Sequence, residues 1–197
     1  MRTGRCLLAL LSCLCFMAAS RQVFAQPGPE PISILEGLVV GVAEGDRITL
    51  NCLGNEIPVR LYGLAAPQTV KIDKYTGWYK TGQPYSADAF RALSTKVLHQ
   101  KVRVEIRDVV DLAKGDSRGL AIAVVYQDGR NINLEMLSEG WGWVYRKYLH
   151  SGDSPEYVAA EKQARSRKNG LWLQENPTAP WHFQPRLKAP IRKPAQP

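Results

Sequence analysis

Three consecutive segments between Gly37 and Gly63 alternate in polarity with nothing but turn residues between them. Gly37–Ala43 is apolar and valine-rich. Asp46–Leu53 sets Ile48, Leu50 and Cys52 on one face. Glu56–Gly63 sets Ile57, Val59 and Leu61 on one face and Pro58, Arg60 and Tyr62 on the other. A period of two is the strand period, and Gly54-Asn55 is turn chemistry, so the stretch predicts a three-stranded antiparallel meander.

The remainder extends the meander. Ala65–Gln83, with Pro67, Gly77 and Gly82, reads as loop. Pro84–His99 reads as helix, with Ala89, Leu93 and Val97 spaced by four. Lys101–Arg107 alternates as a fourth strand. Leu112–Arg118 is a polar loop, and Gly119–Tyr126 is a fifth, largely apolar strand. Asp128-Gly129 marks a hairpin. Asn133–Glu139 reads as a short helix stopped by Gly140. Ser154-Pro155-Glu156 opens a helix that runs to Asn169, with Gly170 as its stop. From Pro177 the chain is Pro-rich and basic and is expected to be mobile. Five strands with a helix between the third and fourth predict an α+β fold: a five-stranded OB-type barrel carrying about three helices.

The ends differ from the middle. Arg2 and Arg5 precede an apolar run from Cys6 to Ala19, shorter than the roughly 20 residues a membrane span needs. Val23-Phe24-Ala25 then offers small residues at the −3 and −1 positions of a cleavage site. Residues 1–25 therefore predict a signal peptide cleaved near Ala25, which makes the protein exported, periplasmic or secreted, with no stable membrane span. Residues 26–34 form a Pro/Gly linker, 35–182 the folded domain, and 183–197 a basic Pro-rich tail. Of the four cysteines only Cys52 lies beyond the signal, so an internal disulfide is excluded and stability must come from a core. His99, His150 and His182 show no zinc-site spacing. The 197-residue chain has 26 Lys and Arg against 18 Asp and Glu. Setting aside the three basic residues before Gln26 and the four from Arg186 onward leaves 19 against 18. Any anion site in the domain is therefore local, and the expected state is a monomer.

The order of short motifs carries a resemblance. Glu44-Gly45-Asp46 lies in the first hairpin. Val59-Arg60-Leu61-Tyr62-Gly63 ends the third strand and Ala65-Ala66-Pro67-Gln68 follows it. Then come Gly82-Gln83-Pro84-Tyr85, Ser117-Arg118-Gly119-Leu120-Ala121, Gly129 to Asn133, Gly140 to Tyr145, Ala164-Arg165, Gly170-Leu171-Trp172 and Pro180-Trp181. From about Leu35 to Trp181 the series resembles the secreted bacterial branch of the staphylococcal nuclease (thermonuclease) family. That resemblance implies a calcium-dependent phosphodiesterase on an OB barrel. Two aspartates would bind calcium, a glutamate would act as general base toward water, and two arginines would hold the phosphate.

Only part of that site carries over. By the resemblance Asp46 stands at the first calcium position, and Arg60 and Arg118 stand at the two phosphate-binding positions. Glu44 replaces an outer Asp and Arg47 a Ser or Thr. Ala65 stands where the second calcium Asp belongs, and Gln68 where the general-base Glu belongs. Leu64 to Gln68 holds no acid at all. Calcium takes 6–8 oxygens with carboxylates supplying charge, and an amide is no base near neutral pH. No cofactor is therefore expected to bind tightly, calcium included unless the site still functions.

Two readings lead, with a purely structural or envelope-associated role behind them. One is a catalytically impaired domain whose arginine pocket binds nucleic acid or another phosphate-bearing anion. The other is an active metal-dependent nuclease whose rearranged site recruits Asp73, Glu44 or Asp116. Each residue also has a plainer role open to it. Asp46 completes a tight turn, Arg60 and Arg118 pair with nearby acids such as Glu105 or Asp116, and Trp141, Trp143, Trp172 and Trp181 pack the core and tail.

Overall fold

The computed structural model describes residues 30–110 and 119–190. The expected signal peptide, Asp116 and Arg118 lie outside the described residues.

β1 (Ser33–Glu44), β2 (Arg47–Cys52) and β3 (Asn55–Leu61) form the antiparallel meander the alternation predicts. α1 (Ser86–Val97) follows after a long connection, and then come β7 (Lys101–Val110) and β8 (Leu120–Gln127). β1 pairs with β7 and β7 with β8, both antiparallel, while β8 returns to pair in parallel with β3. This last pairing closes a five-stranded OB-type barrel. Register shifts in β1 between Val39 and Gly41 and between Val42 and Glu44 bend the strand enough for closure.

Val39, Leu50, Val59, Val104 and Val125 are fully buried inside the barrel. Ala89, Leu93 and Val97 place one face of α1 on it. Asp128 and Gly129, both at positive φ, turn β8 into β9 (Arg130–Asn131). Asn131 caps α2 (Ile132–Ser138), its side chain accepting from Leu134 N at 3.1 Å. α3 (Ser154–Ser166) has Pro155 in its first turn, and a 3-10 turn, Gly170–Leu173, follows it. Among the described residues no helix is long and apolar enough to cross a membrane.

Two regions differ from expectation. The stretch 65–83 holds three two-residue strands: β4 (Leu64–Ala65), β5 (Lys71–Ile72) and β6 (Tyr79–Lys80). β4 pairs with β10 (Trp143–Val144), and β5 with β6. Strands this short leave no periodicity to read. The segment from Pro177 is tied to the domain rather than free of it. Thr178 and Pro180 accept side-chain hydrogen bonds from Gln83 and Gln68. β11 (Leu187–Lys188) pairs with β6, and Thr81 exchanges bonds with Arg186.

Candidate functional site

The site forms where the β1–β2 turn, the end of β3 and the start of the 65–83 stretch converge. Gly45 lets the turn approach α1. A Cβ there would lie 2.7 Å from the Ala89 Cβ and 2.9 Å from that of Ala66. Gly63, at φ 69°, turns the chain out of β3, and a Cβ there would meet the Tyr157 ring at 2.5 Å. These two positions require glycine, and the Leu61 N–H, donating to Asp46 O at 2.9 Å, joins the β1–β2 turn to the end of β3.

Asp46 is 2% exposed. Its Oδ2 accepts from Arg60 Nε at 3.1 Å and lies 3.0 Å from a terminal nitrogen of the same guanidinium. Arg60 therefore pairs with Asp46 and not with Glu105, whose own partners are Arg103 and Arg107. Arg47 and Arg60 stand directly opposite each other in the β2–β3 register. Like charges so placed repel, and each has an acid to offset this. Arg47 Nε lies 3.3 Å from Glu44, which also takes Lys71 Nζ at 3.4 Å. Burial raises the Asp46 carboxyl above its usual range. Arg60 pulls it back, Glu44 adds to the rise, and Arg47 opposes it.

The arginine has an aromatic backing. Its Cζ lies 5.0 Å from the centre of the Tyr145 ring, within cation–π range. Tyr145 in turn lies 5.7 Å from Trp181, which is half exposed. Glu44, Asp46, Arg60, Ala65, Lys71 and Trp181 are among the walls of a cavity of about 220 Å3. Its described charged groups are three cations and two carboxylates, so the site is positive even though the domain is near neutral.

Ala65 and Gln68 both reach this cavity. Ala65 is buried opposite Trp143 in the β4–β10 pair. Gln68 is a tether. Its Nε2 donates to Pro180 O at 2.8 Å, and its backbone N–H donates to Gln83 Oε1 at 2.9 Å. Gln83 Nε2 donates to Thr178 O at 2.9 Å. Two glutamine amides thus hold the C-terminal segment along the cavity wall. Of the acids considered for recruitment, Glu44 lines the cavity. Asp73 does not: its Oδ1 accepts from Tyr75 N, Thr76 N and Thr76 Oγ1 in the β5–β6 turn.

The donors present do not suit calcium. The carboxylate oxygens in the cavity are those of Asp46 and Glu44, and three of the four already face cations. Among the described residues no group of three or more His, Cys, Asp or Glu is arranged to hold a metal ion. An ion wanting 6–8 oxygens would have to displace Arg60 from Asp46 to gain one strong ligand.

Tyr145, Lys71 and Gln83 received no role from sequence. Gln83 and Tyr145 sit in motifs that carry the resemblance, and those motifs are the available signal.

Comparisons with known proteins point to one family. A family described as staphylococcal nuclease homologue matches residues 58–174. The chain is 32% identical over 153 residues to an uncharacterized endonuclease of Haemophilus influenzae, covering 76% of this chain and 74% of that one. It is 30% identical over 157 residues to a micrococcal nuclease of Shigella flexneri, covering 75% and 79%. A probable staphylococcal-like nuclease of Oryza sativa is 29% identical over 155 residues, covering 76% of this chain and 40% of its own length.

Proposed function

The chain belongs to the staphylococcal nuclease family, and from that premise we propose that it is an exported, catalytically impaired member that binds a phosphate of a nucleic-acid strand at Arg60. The observation that carries this reading is the state of the two altered positions. Ala65 is apolar and buried, and Gln68 spends its amide as a donor to Pro180 O. Neither can add a carboxylate ligand or take a proton from water. A positioned general base is typically worth about 10²–10⁴ in rate, so turnover by the family's route is lost while the cationic pocket is kept.

Arg60 supports the binding half of the reading. A guanidinium forks onto phosphate oxygens as it does onto a carboxylate. The same donors that now reach Asp46 Oδ2 are the ones an incoming phosphate would share. Arg118, the second arginine the family resemblance assigns, would join from outside the described residues. Export rests on the basic-apolar-small pattern of residues 1–25.

The second reading, an active nuclease, draws on the relatives named as endonucleases and on Glu44, which does line the cavity. The deciding experiment is cleavage of single-stranded DNA with and without calcium. Activity near background is the expected result. Robust metal-dependent cleavage that disappears in Arg60→Ala overturns the impaired reading in favour of a rearranged site.

A further inference from the structure

A second concentration of positive charge lies beside the cavity, on the three-stranded sheet β5-β6-β11. Register pairs Lys71 with Lys80 and Ile72 with Tyr79, and then Leu187 with Lys80 and Lys188 with Tyr79. Cross-strand partners share a face. Lys71, Lys80 and Leu187 are therefore on one face, and Ile72, Tyr79 and Lys188 on the other. Asp73 N donates to Trp78 O at 2.8 Å, which extends the register by one pair. Alternation then returns Trp78, with Asp73 opposite it, to the face of Lys71 and Lys80, and the Asp73 Oδ1 is taken up by Tyr75 N, Thr76 N and Thr76 Oγ1.

Lys71 joins this face to the cavity, because it lines the cavity and reaches Glu44 at 3.4 Å. Lys80 has no carboxylate partner among the described residues. Two lysines directly opposite repel, and an anion seated between them removes that repulsion. Aromatic surface stands beside them. Trp78 is 44% and Tyr75 84% exposed, and Lys74 Nζ lies 4.9 Å from the Tyr75 ring. Cations along a track with exposed ring faces are how proteins hold unpaired strands. The cations follow the phosphates and the rings take the bases.

We propose that this sheet is a platform for single-stranded nucleic acid leading out of the Arg60 cavity. A phosphate lies between Lys71 and Lys80, and an unpaired base stacks on Trp78. The proposal rests on the reading that the cavity itself takes a phosphate. Duplex fits less well, because its bases are stacked on one another and offer no free face to an indole. Continuity with the cavity through Lys71 favours a nucleic-acid strand over an anionic membrane surface.

The test compares a short ligand with a long one. Anisotropy follows a labelled oligo-dT of about 12 nucleotides, within the ~4–16 nucleotide site sizes of OB folds. Calorimetry follows a nucleoside 3′,5′-bisphosphate, which can fill the cavity but not the platform. In the Trp78→Ala/Lys80→Ala variant, whose altered side chains are exposed, oligonucleotide affinity should fall about tenfold or more. The slope of log affinity on log salt should shrink by about 0.7, and bisphosphate binding should be unchanged. Arg60→Ala should weaken both ligands. An unchanged oligonucleotide affinity and slope in Trp78→Ala/Lys80→Ala overturns the platform. So does equal, Trp78-dependent binding of a duplex of that length. A loss confined to phosphatidylserine vesicles overturns it in favour of a membrane contact. If wild type fails to bind bisphosphate while oligonucleotide binding still needs Trp78 and Lys80, the cavity reading falls and the platform stands.

Discussion

The Gln68 side-chain amide donates to the carbonyl of Pro180 at 2.8 Å across 112 residues of chain. This contact gives the amide a purpose at a position where the family resemblance calls for a carboxylate. Pro180 has no N–H, but its carbonyl accepts, and only a donor at position 68 can meet it. Gln83 does the same for Thr178 two residues earlier. The C-terminal segment therefore forms a cavity wall beside Gln68, where the family resemblance sets a general base.

Replacing that donor by an acceptor should free the wall. In Gln68→Glu the carboxylate faces the Pro180 carbonyl, and two acceptors repel. A typical hydrogen bond contributes about 0.5–1.5 kcal/mol net, so local opening of residues 177–188 should rise by roughly 2–10-fold or more. Amide hydrogen exchange by mass spectrometry reads this directly. Gln68→Met, which removes the donor without adding charge, should shift in the same direction by less. Unchanged exchange in both variants would show that Gln83 and β11 alone hold the segment.

Restoring turnover should need two changes. Ala65→Asp puts a carboxylate into a buried position near Asp46, so it should lower the melting temperature until calcium is added. Wild type should show no such calcium dependence. Gln68→Glu alone should add little cleavage. The double variant should exceed the product of the singles, because metal and base act as one unit. Full activity from either single change would mean that Ala65 and Gln68 do not occupy the positions assigned to them.

Asn133 is a structural test of the barrel seam. It is fully buried in α2. Its Oδ1 accepts from Val125 N at 3.0 Å, and its Nδ2 donates to Tyr62 O at 2.8 Å and Ala123 O at 3.1 Å. It thus ties β8 to Tyr62, the residue that follows β3 and lies two positions after Arg60. Asn133→Ala removes three bonds and strands buried backbone groups, at a cost of about 3 kcal/mol. Chemical denaturation should show it. A loss under ~1 kcal/mol would mean water or backbone replaces all three contacts.

The barrel was legible in the sequence because its strands are long enough to alternate. β2 and β3 have 6 and 7 residues, and Ile48, Leu50, Val59 and Leu61 are buried where the period of two puts them. α1 was legible from its spacing of four. The cavity's identity came from residue order and not from periodicity: Glu44, Asp46, Arg60, Ala65 and Gln68 do line one space. What composition concealed was the chain after Pro177. Proline and basic residues read as a free tail, yet that stretch docks through its carbonyls, and a carbonyl acceptor has no sequence signature. Tyr145 was hidden for a related reason. Its contact with Arg60 joins β3 to the residue just after β10, and neither residue's local pattern records it. The Asp46–Arg60 pair was hidden too. The family resemblance implies a metal role for Asp46 and a phosphate role for Arg60, and in the structure the two are paired with each other.

That pair should make anion binding depend on pH. Burial disfavours the charged form of Asp46 by more than Arg60 and Arg47 restore it, with Glu44 acting in the same direction as burial. The carboxyl therefore takes up a proton above its ordinary value of 3.8. Once it is neutral, Arg60 loses its counter-charge and is free for another anion. Sulfate keeps its own charge over this range, so its affinity should rise as pH falls from neutral toward 3.8. Stability follows the same direction. The folded form binds this proton more readily than the unfolded form, so the group's stabilising contribution is fullest below 3.8 and is lost as pH rises through the folded value. Glu44 borders the cavity, and the His182 ring meets Trp181 edge-on with centroids 6.1 Å apart, so both lie close to the site. Asp46→Asn separates their effects. It should bind sulfate more tightly than wild type at neutral pH, and it should lose the part of the pH dependence that belongs to Asp46. Calorimetric titration of both proteins across that range is the measurement. If wild type and Asp46→Asn show the same affinity and the same pH profile, Asp46 does not hold Arg60 back from anions, and the acids at the rim or Arg118 govern the site instead.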